Sequence, residues 1–302
     1  MTYNLQLLHA FATIVSCGSL GRAAEALHVT QPALSRTIQR LEKQVGAPLF
    51  ERHSRGMQLT AIGEALLPHA NLLKREAEQA REEIDAMRGL ARGTIRVGAV
   101  GSIACLVLPL AVSRVLETWP NLRVEILEGV WDKLADALVK REIDLALSIT
   151  VPDTDEIVAI TDCKWEDSSF VVASLDHRLR DKPDLTLADT LTERWAIPPR
   201  DTAPFEHMRQ VFAAHGLRMP HIAVETRSIT ALKSLVAHSG FLSWMASTMY
   251  VTESKAGVFD TLDLPGVEGR RALTAFRRRQ GILPSPATKL LDELRRMAEA
   301  GL

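Results

Sequence analysis

The chain is poor in cysteine: among 302 residues it has only Cys17, Cys105 and Cys163, far apart along the sequence. That excludes a disulfide framework, a CxxC redox pair and a cysteine zinc cluster, and it fits a reducing compartment. Long apolar runs are also missing. The longest, Ile103 to Val112, contains Pro109 and is too short to cross a bilayer, and the N-terminus lacks a basic start followed by an apolar stretch. Neither a membrane span nor an export signal is therefore expected, and the location expected is cytoplasmic. A strong net charge is absent too, since 36 Lys+Arg face 37 Asp+Glu. A histone-like protein is excluded. The motifs GxxxxGK[ST], HExxH, GxSxG and GxGxxG do not occur, and the nine histidines lack metal-ligand spacing. No enzyme, metal or cofactor is expected from them.

What is present is globular material, 46% hydrophobic and 24% charged residues, in a chain long enough for two or three domains. The charge is unevenly placed. In residues 1–60 six basic side chains (Arg22, Arg36, Arg40, Lys43, Arg52, Arg55) face three acidic ones (Glu25, Glu42, Glu51), a net of +3; the remaining 30 basic and 34 acidic residues give −4. A basic head on an acidic body points to an anionic partner for the head.

The head's hydrophobic spacing predicts three helices. The first runs over residues 4–16, capped by Asn4, with Leu7, Leu8, Phe11, Ile14 and Val15 on one stripe; Cys17-Gly18 ends it. Ser19 caps a second short helix with Leu20, Ala23, Ala24 and Leu27 inward, His28-Val29 makes the turn, and Thr30 caps a third with Pro32 in its first turn. Leu34, Ile38, Leu41 and Val45 share one face of that third helix, which leaves Pro32, Arg36, Gln39 and Lys43 opposite and Ser35 on the flank. This is a helix-turn-helix whose second helix fits a DNA major groove. Arg can grip guanine O6 and N7 bidentately, Gln can do so for adenine, and Pro offers an apolar contact to a thymine methyl. Leu49 to Arg52 and Met57 to Thr60, joined by His53 to Gly56, read as a wing, with Arg52 and Arg55 toward phosphates. The bland alternative is a small helical domain whose arginines are merely solvated.

These residues resemble a known family, the LysR-type transcriptional regulators of bacteria. The likeness lies in Phe11, Gly18-Ser19-Leu20, the run from Arg22 through Ser35, Ile38, Leu41-Glu42, Gly46, Pro48 to Arg52, Leu59-Thr60 and Gly63-Glu64. The resemblance implies base and phosphate contacts at Thr30, Gln31, Pro32, Ser35 and Arg36, in agreement with the helical wheel. Gln39, Arg52 and Arg55 complete the expected DNA-binding set.

From Thr60 to about Met87 the sequence predicts one long helix. Ala70, Ala77 and Ile84 hold one heptad position and Leu66, Leu73, Ala80 and Met87 another, between charged flanks, with Pro68 as a discordant residue that should kink or tilt the first two turns. A two-stranded seam pairing two heads on a palindrome is one reading, and a helix packed on its own chain is the other. The resemblance favours the first, because such regulators dimerise through this linker and assemble into tetramers.

After Arg92-Gly93 strands and helices alternate. Thr94 to Gly98, Val124 to Glu128 and Asp144 to Ile149 read as strands, Ile103 to Thr118 and Trp131 to Lys140 as helices, a βαβαβ order that implies a parallel sheet. A second set follows, with strands Phe170 to Ser174, Trp195 to Pro198 and Ile222 to Thr226, helices Pro204 to His215 and Thr230 to His238, then strand Arg271 to Phe276 and a last helix from about Pro286. Two such lobes resemble the periplasmic-binding-protein-type effector domain of the family, most closely at Gly93 to Gly98, Trp119-Pro120, Glu128-Gly129 and Ile143 to Leu147. Phe241 to Met245 departs from the family's more usual glycine-rich stretch. Ligands of open α/β sheets bind beyond the carboxyl ends of strands, which nominates Ser102, Val130, Thr150, Arg200, Thr202, Arg227 and Trp244 for an effector. Ser102 opens a helix, and Arg200 or Arg227 supplies positive charge, so the expected effector is a small carboxylate. The three cysteines read as buried structural thiols, and Arg277-Arg278-Arg279 as a solvated strand end.

The fold class expected is therefore mixed: a winged helix-turn-helix head (1–60), a linker and dimerisation helix (61–92) and a two-lobed α/β effector domain of the periplasmic-binding-protein-like type 2 kind (93–302). Its first lobe takes about 93–161 and 268–302, its second about 162–267. The function expected is a sequence-specific regulator binding promoter DNA and a small-molecule effector as a homodimer or homotetramer, with contact to RNA polymerase open and no membrane partner. The rivals are a solute-binding protein with a helical extension and a winged-helix regulator of the molybdate-responsive type, whose body would read as small β-barrels.

Overall fold

The computed structural model describes residues 4–53, 56–87 and 93–300, which form two compact units, one ending at Met87 and one beginning at Gly93. In the first, α1 (Leu5–Cys17) is capped by the Asn4 side chain and stops at Gly18, whose left-handed backbone suits glycine. Ser19 caps α2 (Leu20–Ala26), and Thr30 caps α3 (Gln31–Val45) by accepting from the Ala33 amide at 3.4 Å. All three caps stand where the sequence places them. Between α2 and α3 His28 takes a positive φ of 52°, a conformation uncommon outside glycine, which lets the chain reverse in a three-residue turn. The wing is the antiparallel pair β1 (Phe50–His53) and β2 (Gly56–Leu59).

The head's core is Leu7, Leu8, Phe11, Ile14, Ala23, Ala24, Leu34, Ile38, Leu41 and Leu49, with Leu20, Leu27 and Val45 packed at its rim. Phe11 is fully buried and meets the Phe50 ring at 5.3 Å. Its truncation to Ala would cost roughly 3–5 kcal/mol. Glu42 accepts from the Leu49 amide at 2.8 Å, which ties the end of α3 to the start of the wing.

The long helix α4 (Ala61–Met87) runs through Pro68 and belongs to this same unit. Ala70 is fully buried in the head's core, and Leu66 and Leu67 pack against it. The first members of the expected seam, Leu66 and Ala70, thus lie on their own chain. Gly63 is required by closeness: a Cβ there would come within 2.3 Å of the Leu49 carbonyl oxygen. A second stripe of α4 faces outward, with Ile62, Leu73, Ala77, Ala80 and Ile84 all exposed, Ile84 by 56%.

The second unit opens with β3 (Gly93–Ala99), α5 (Gly101–Cys105), α6 (Val107–Thr118), β4 (Leu122–Glu128), α7 (Trp131–Val139) and β5 (Leu145–Ile149). The expected single helix over Ile103–Thr118 is two, because Leu106 leaves helical geometry at φ −139°. There follow β6 (Ile157–Ser174), β7 (Trp195–Ile197), α8 (Ala203–Ala214), β8 (Ile222–Glu225), α9 (Ile229–Ser239), β9 (Ser243–Ala246), α10 (Ser247–Lys255), β10 (Phe259–Thr261), β11 (Gly269–Arg278) and α11 (Ser285–Glu299). A seven-stranded sheet runs β10-β6-β11-β5-β3-β4, with β9 also on β6, and β7 pairs β8 in parallel. Strands β3, β4 and β5 are parallel to one another, as the βαβαβ order requires.

Two strands join the lobes. β6 starts among Ile160, Cys163 and Trp165 in one core and ends as Val171 and Ala173 in another, and β11 returns alongside it in antiparallel register. The first core contains Ile95, Val97, Leu108, Leu145, Leu147 and Leu290; the second contains Trp195, Met208, Phe212, Leu242 and Trp244. Only Phe170–Ser174 of β6 is expected from the sequence, whereas the strand begins at Ile157 and carries the junction inside itself. The alternation of buried Cys163, Trp165 and Asp167 with the more exposed Lys164 and Glu166 is its period-two signal. Arg278 corrects another expectation: instead of a solvated end it is mostly buried, donating to the Leu138 and Ile143 carbonyls and pairing with Asp144 at 3.5 Å. Burial pushes the Cys163 thiol up to about 12, while Cys17 and Cys105 are only half-buried.

Candidate nucleic-acid interface and effector site

The outward face of α3 is built by its inward one. Leu34, Ile38 and Leu41 are buried, and this alone turns Gln31, Pro32, Arg36, Gln39, Arg40 and Lys43 to the surface, with Ser35 half-buried on the flank. Arg36, Arg40 and Lys43 have no ion-pair partner among the described residues. Thr30 is exposed at the cap, where its hydroxyl fixes the start of the helix. Arg52 lies in β1, paired with Met57. Arg55 lies outside the described residues.

The expected effector residues fall into two groups. At the carboxyl ends of β7 and β8 the flanking arginines cross-pair: Arg200 donates to Glu225 at 2.8 Å and Arg227 to Asp201 at 2.6 Å, all four side chains exposed. Thr202, buried, donates to the Pro199 carbonyl. Neither arginine is the free charge the sequence suggests. Thr150 is exposed with its amide on the Ala272 carbonyl, and the half-buried Val130 precedes α7.

The second group gathers where β6 and β11 pass between the cores. Asp167 and Arg271 stand directly opposite in register and pair bidentately, Nε to Oδ1 at 2.8 Å and Nη2 to Oδ2 at 2.6 Å. Their side chains are 1% and 11% exposed. Ser102, buried at the start of α5, accepts from Arg271 Nη2 at 3.3 Å. Two residues before Arg271, a Cβ on Gly269 would meet His207 Cε1 at 2.3 Å and Trp244 Cζ2 at 2.7 Å, so only glycine admits both rings. Trp244 Nε1 and His207 Nδ1 are buried without hydrogen-bond partners among the described residues. Burial, with help from Arg271, lowers the His207 pKa, which keeps the ring neutral at physiological pH. Sequence reasoning placed Ser102 and Trp244 here but missed Arg271, Asp167 and His207. The Arg271–Asp167 pairing joins residues more than a hundred positions apart, and no local pattern signals it.

The comparisons with known proteins agree with this architecture. The LysR substrate binding domain model matches residues 88–299, and that of bacterial regulatory helix-turn-helix proteins of the lysR family matches residues 5–64. The chain belongs to the LysR family of transcriptional regulators. It is a DNA-binding regulator with an effector-binding domain, and its relatives are regulators too. It is 30% identical over 298 residues to the SDS degradation transcriptional activation protein of Pseudomonas sp. (strain ATCC 19151), covering 96% of this chain and 95% of that one. It is 26% identical over 294 residues to the HTH-type transcriptional regulator YdcI of Escherichia coli (strain K12), covering 97% and 95%. Among solved structures it is similar to full-length CbnR complexed with its target DNA, at a TM-score of 0.72 and 23% identity over 98% of this chain and 100% of that one. It is also similar to full-length OxyR from Pseudomonas aeruginosa, at 0.69 and 20%, covering 98% and 95%. No helix among the described residues is long and apolar enough to cross a membrane.

Proposed function

We propose that α3 of this LysR-family regulator enters the major groove with Gln31, Pro32, Ser35, Arg36 and Gln39 toward base edges, while Thr30, Arg52 and Arg55 hold phosphates. The observation that carries this reading is the face of α3 on which Arg36, Arg40 and Lys43 stand exposed with no acid to neutralise them among the described residues. An arginine without an internal partner keeps both hydrogen-bonding edges for guanine. Two heads pair through the outward stripe of α4, from Leu73 to Ile84, so that two α3 helices reach the half-sites of a palindrome. Further assembly to a tetramer extends the same logic. The effector is a small carboxylate held between the lobes of the second unit, and it acts by binding one quaternary arrangement more tightly than the other.

Electrophoretic retardation of the DNA upstream of the protein's own gene tests the reading. Sequence-specific, steeply salt-dependent retardation that Arg36→Ala abolishes is the expected result. Retardation that is indifferent to Arg36 would refute it.

A further inference from the structure

A carboxylate effector needs a cation, and although Arg200, Arg227 and Arg271 each hold an acid, the first two do so exposed to water whereas the Arg271 side chain is only 11% exposed. We infer that Arg271 is that cation, and that the ligand is an organic monocarboxylate with a second hydrogen-bond acceptor at the far end of its body. The inference rests on the effector reading of the second unit given above.

A guanidinium has two edges that can grip a carboxylate, the Nε/Nη2 side and the Nη1/Nη2 end. Asp167 occupies the side edge of Arg271. Asp167 sits opposite on the neighbouring strand and is almost wholly buried, so it fixes the plane of the guanidinium without covering the end edge. Nη1 makes no hydrogen bond among the described residues. Ser102 Oγ accepts from Nη2, which leaves its own O–H free to donate. Nη2 gives one hydrogen to Asp167 and the other to Ser102, so a carboxylate placed on that edge receives an Nη1–H and the Ser102 hydroxyl, and Asp167 need not move. Because Asp167 already cancels the charge of Arg271, one further negative charge suits the site better than two.

The far end follows from the strand. Gly269 and Arg271 lie on the same face of β11, about 7 Å apart at two-residue spacing. Over Gly269 lie the rings of His207 and Trp244, crossed edge to face with centroids 6.0 Å apart. Trp244 is 2% exposed, and its Nε1 lacks the acceptor that a buried indole N–H requires. An indole N–H can only donate, so the ligand group that reaches it is an acceptor: a hydroxyl, keto or ether oxygen.

The test uses the full chain and a panel of probes, 4-hydroxybenzoate, 4-oxopentanoate and 3-hydroxybutyrate, each beside its primary amide, followed by calorimetry and tryptophan fluorescence. At least one acid is expected to bind and its amide not. Removing Arg271 alone strands a buried carboxylate, so the deciding variant is the paired R271Q/D167N, which leaves a neutral couple of similar shape. It should weaken that acid by at least about tenfold, R271K should weaken it less, and R200A/R227A should leave it within about twofold. The inference is overturned if amides bind as well as acids, if R271Q/D167N retains the acid, or if no acid of the panel binds. Operator retardation with the same preparations separates the two failures. Arg36-dependent retardation without acid binding removes only the role of Arg271, whereas loss of specific retardation in the wild-type protein removes the regulator reading itself.

Discussion

The arginines of the two units have opposite surroundings. On α3 of the first unit Arg36 and Arg40, with Lys43, stand exposed and unneutralised among the described residues. In the second unit Arg96, Arg114, Arg200, Arg209, Arg227, Arg270, Arg271 and Arg295 each hold a carboxylate. Arg180 donates to the carbonyls of Ala173, Ser174, Asp260 and Thr261, which pins β6 to β10. On the proposed reading the same residue type is left free for DNA on α3 and is held by an acid through much of the second unit, with Arg271 keeping one edge on Asp167 and the other for a ligand. What separates the two uses is whether the fold supplies an acceptor, not the local sequence. Arg277-Arg278-Arg279 looks as basic as α3, yet Arg278 is a mostly buried brace and Arg279 donates to the Thr154 carbonyl.

The contrast can be broken by substitution. The largest effect should come from Arg271→Ala, which leaves Asp167 buried and uncompensated and should lower the stability of the second unit by about 3–5 kcal/mol, read from denaturant unfolding. An unchanged midpoint would mean the pair is not buried as described. Next comes Arg36→Ala, with no stability loss but a drop of roughly 1–3 kcal/mol per half-site in operator binding and little change on unrelated DNA. Leu73→Glu combined with Ile84→Glu should shift the protein toward monomer in sedimentation and weaken operator binding while the head stays folded. A dimer that survives both would move the interface off the outward stripe of α4. Arg52→Ala should reduce binding to all DNA alike and lower the slope of log K against log salt by about one contact. Least of all, Arg200→Ala and Arg227→Ala should each change stability by less than about 1 kcal/mol, because exposed ion pairs contribute little.

The head was legible from the sequence almost residue by residue, since its elements are short, capped by Asn4, Ser19 and Thr30, and built from contacts close in sequence. The linker was legible as a helix but not as one with two apolar faces. A heptad pattern cannot say that Ala70 serves the head of its own chain while Leu73 faces outward. In the second unit the parallel βαβαβ half was readable from its alternation. β6 was not, because one strand crosses two cores and carries Asp167 at the crossing. The effector residues suffered most. Strand-end rules nominated Arg200 and Arg227 without revealing Glu225 and Asp201 beside them, and Arg271 is placed by a pairing no local window contains.

The central claim is that the outward face of α3 reads bases. Methylation interference on the operator tests it most directly, since methyl groups on guanine N7 block an arginine in the major groove. The account predicts that one guanine in each half-site is intolerant of methylation with the wild-type protein and tolerant with Arg36→Ala. Identical interference patterns for the two proteins would contradict it.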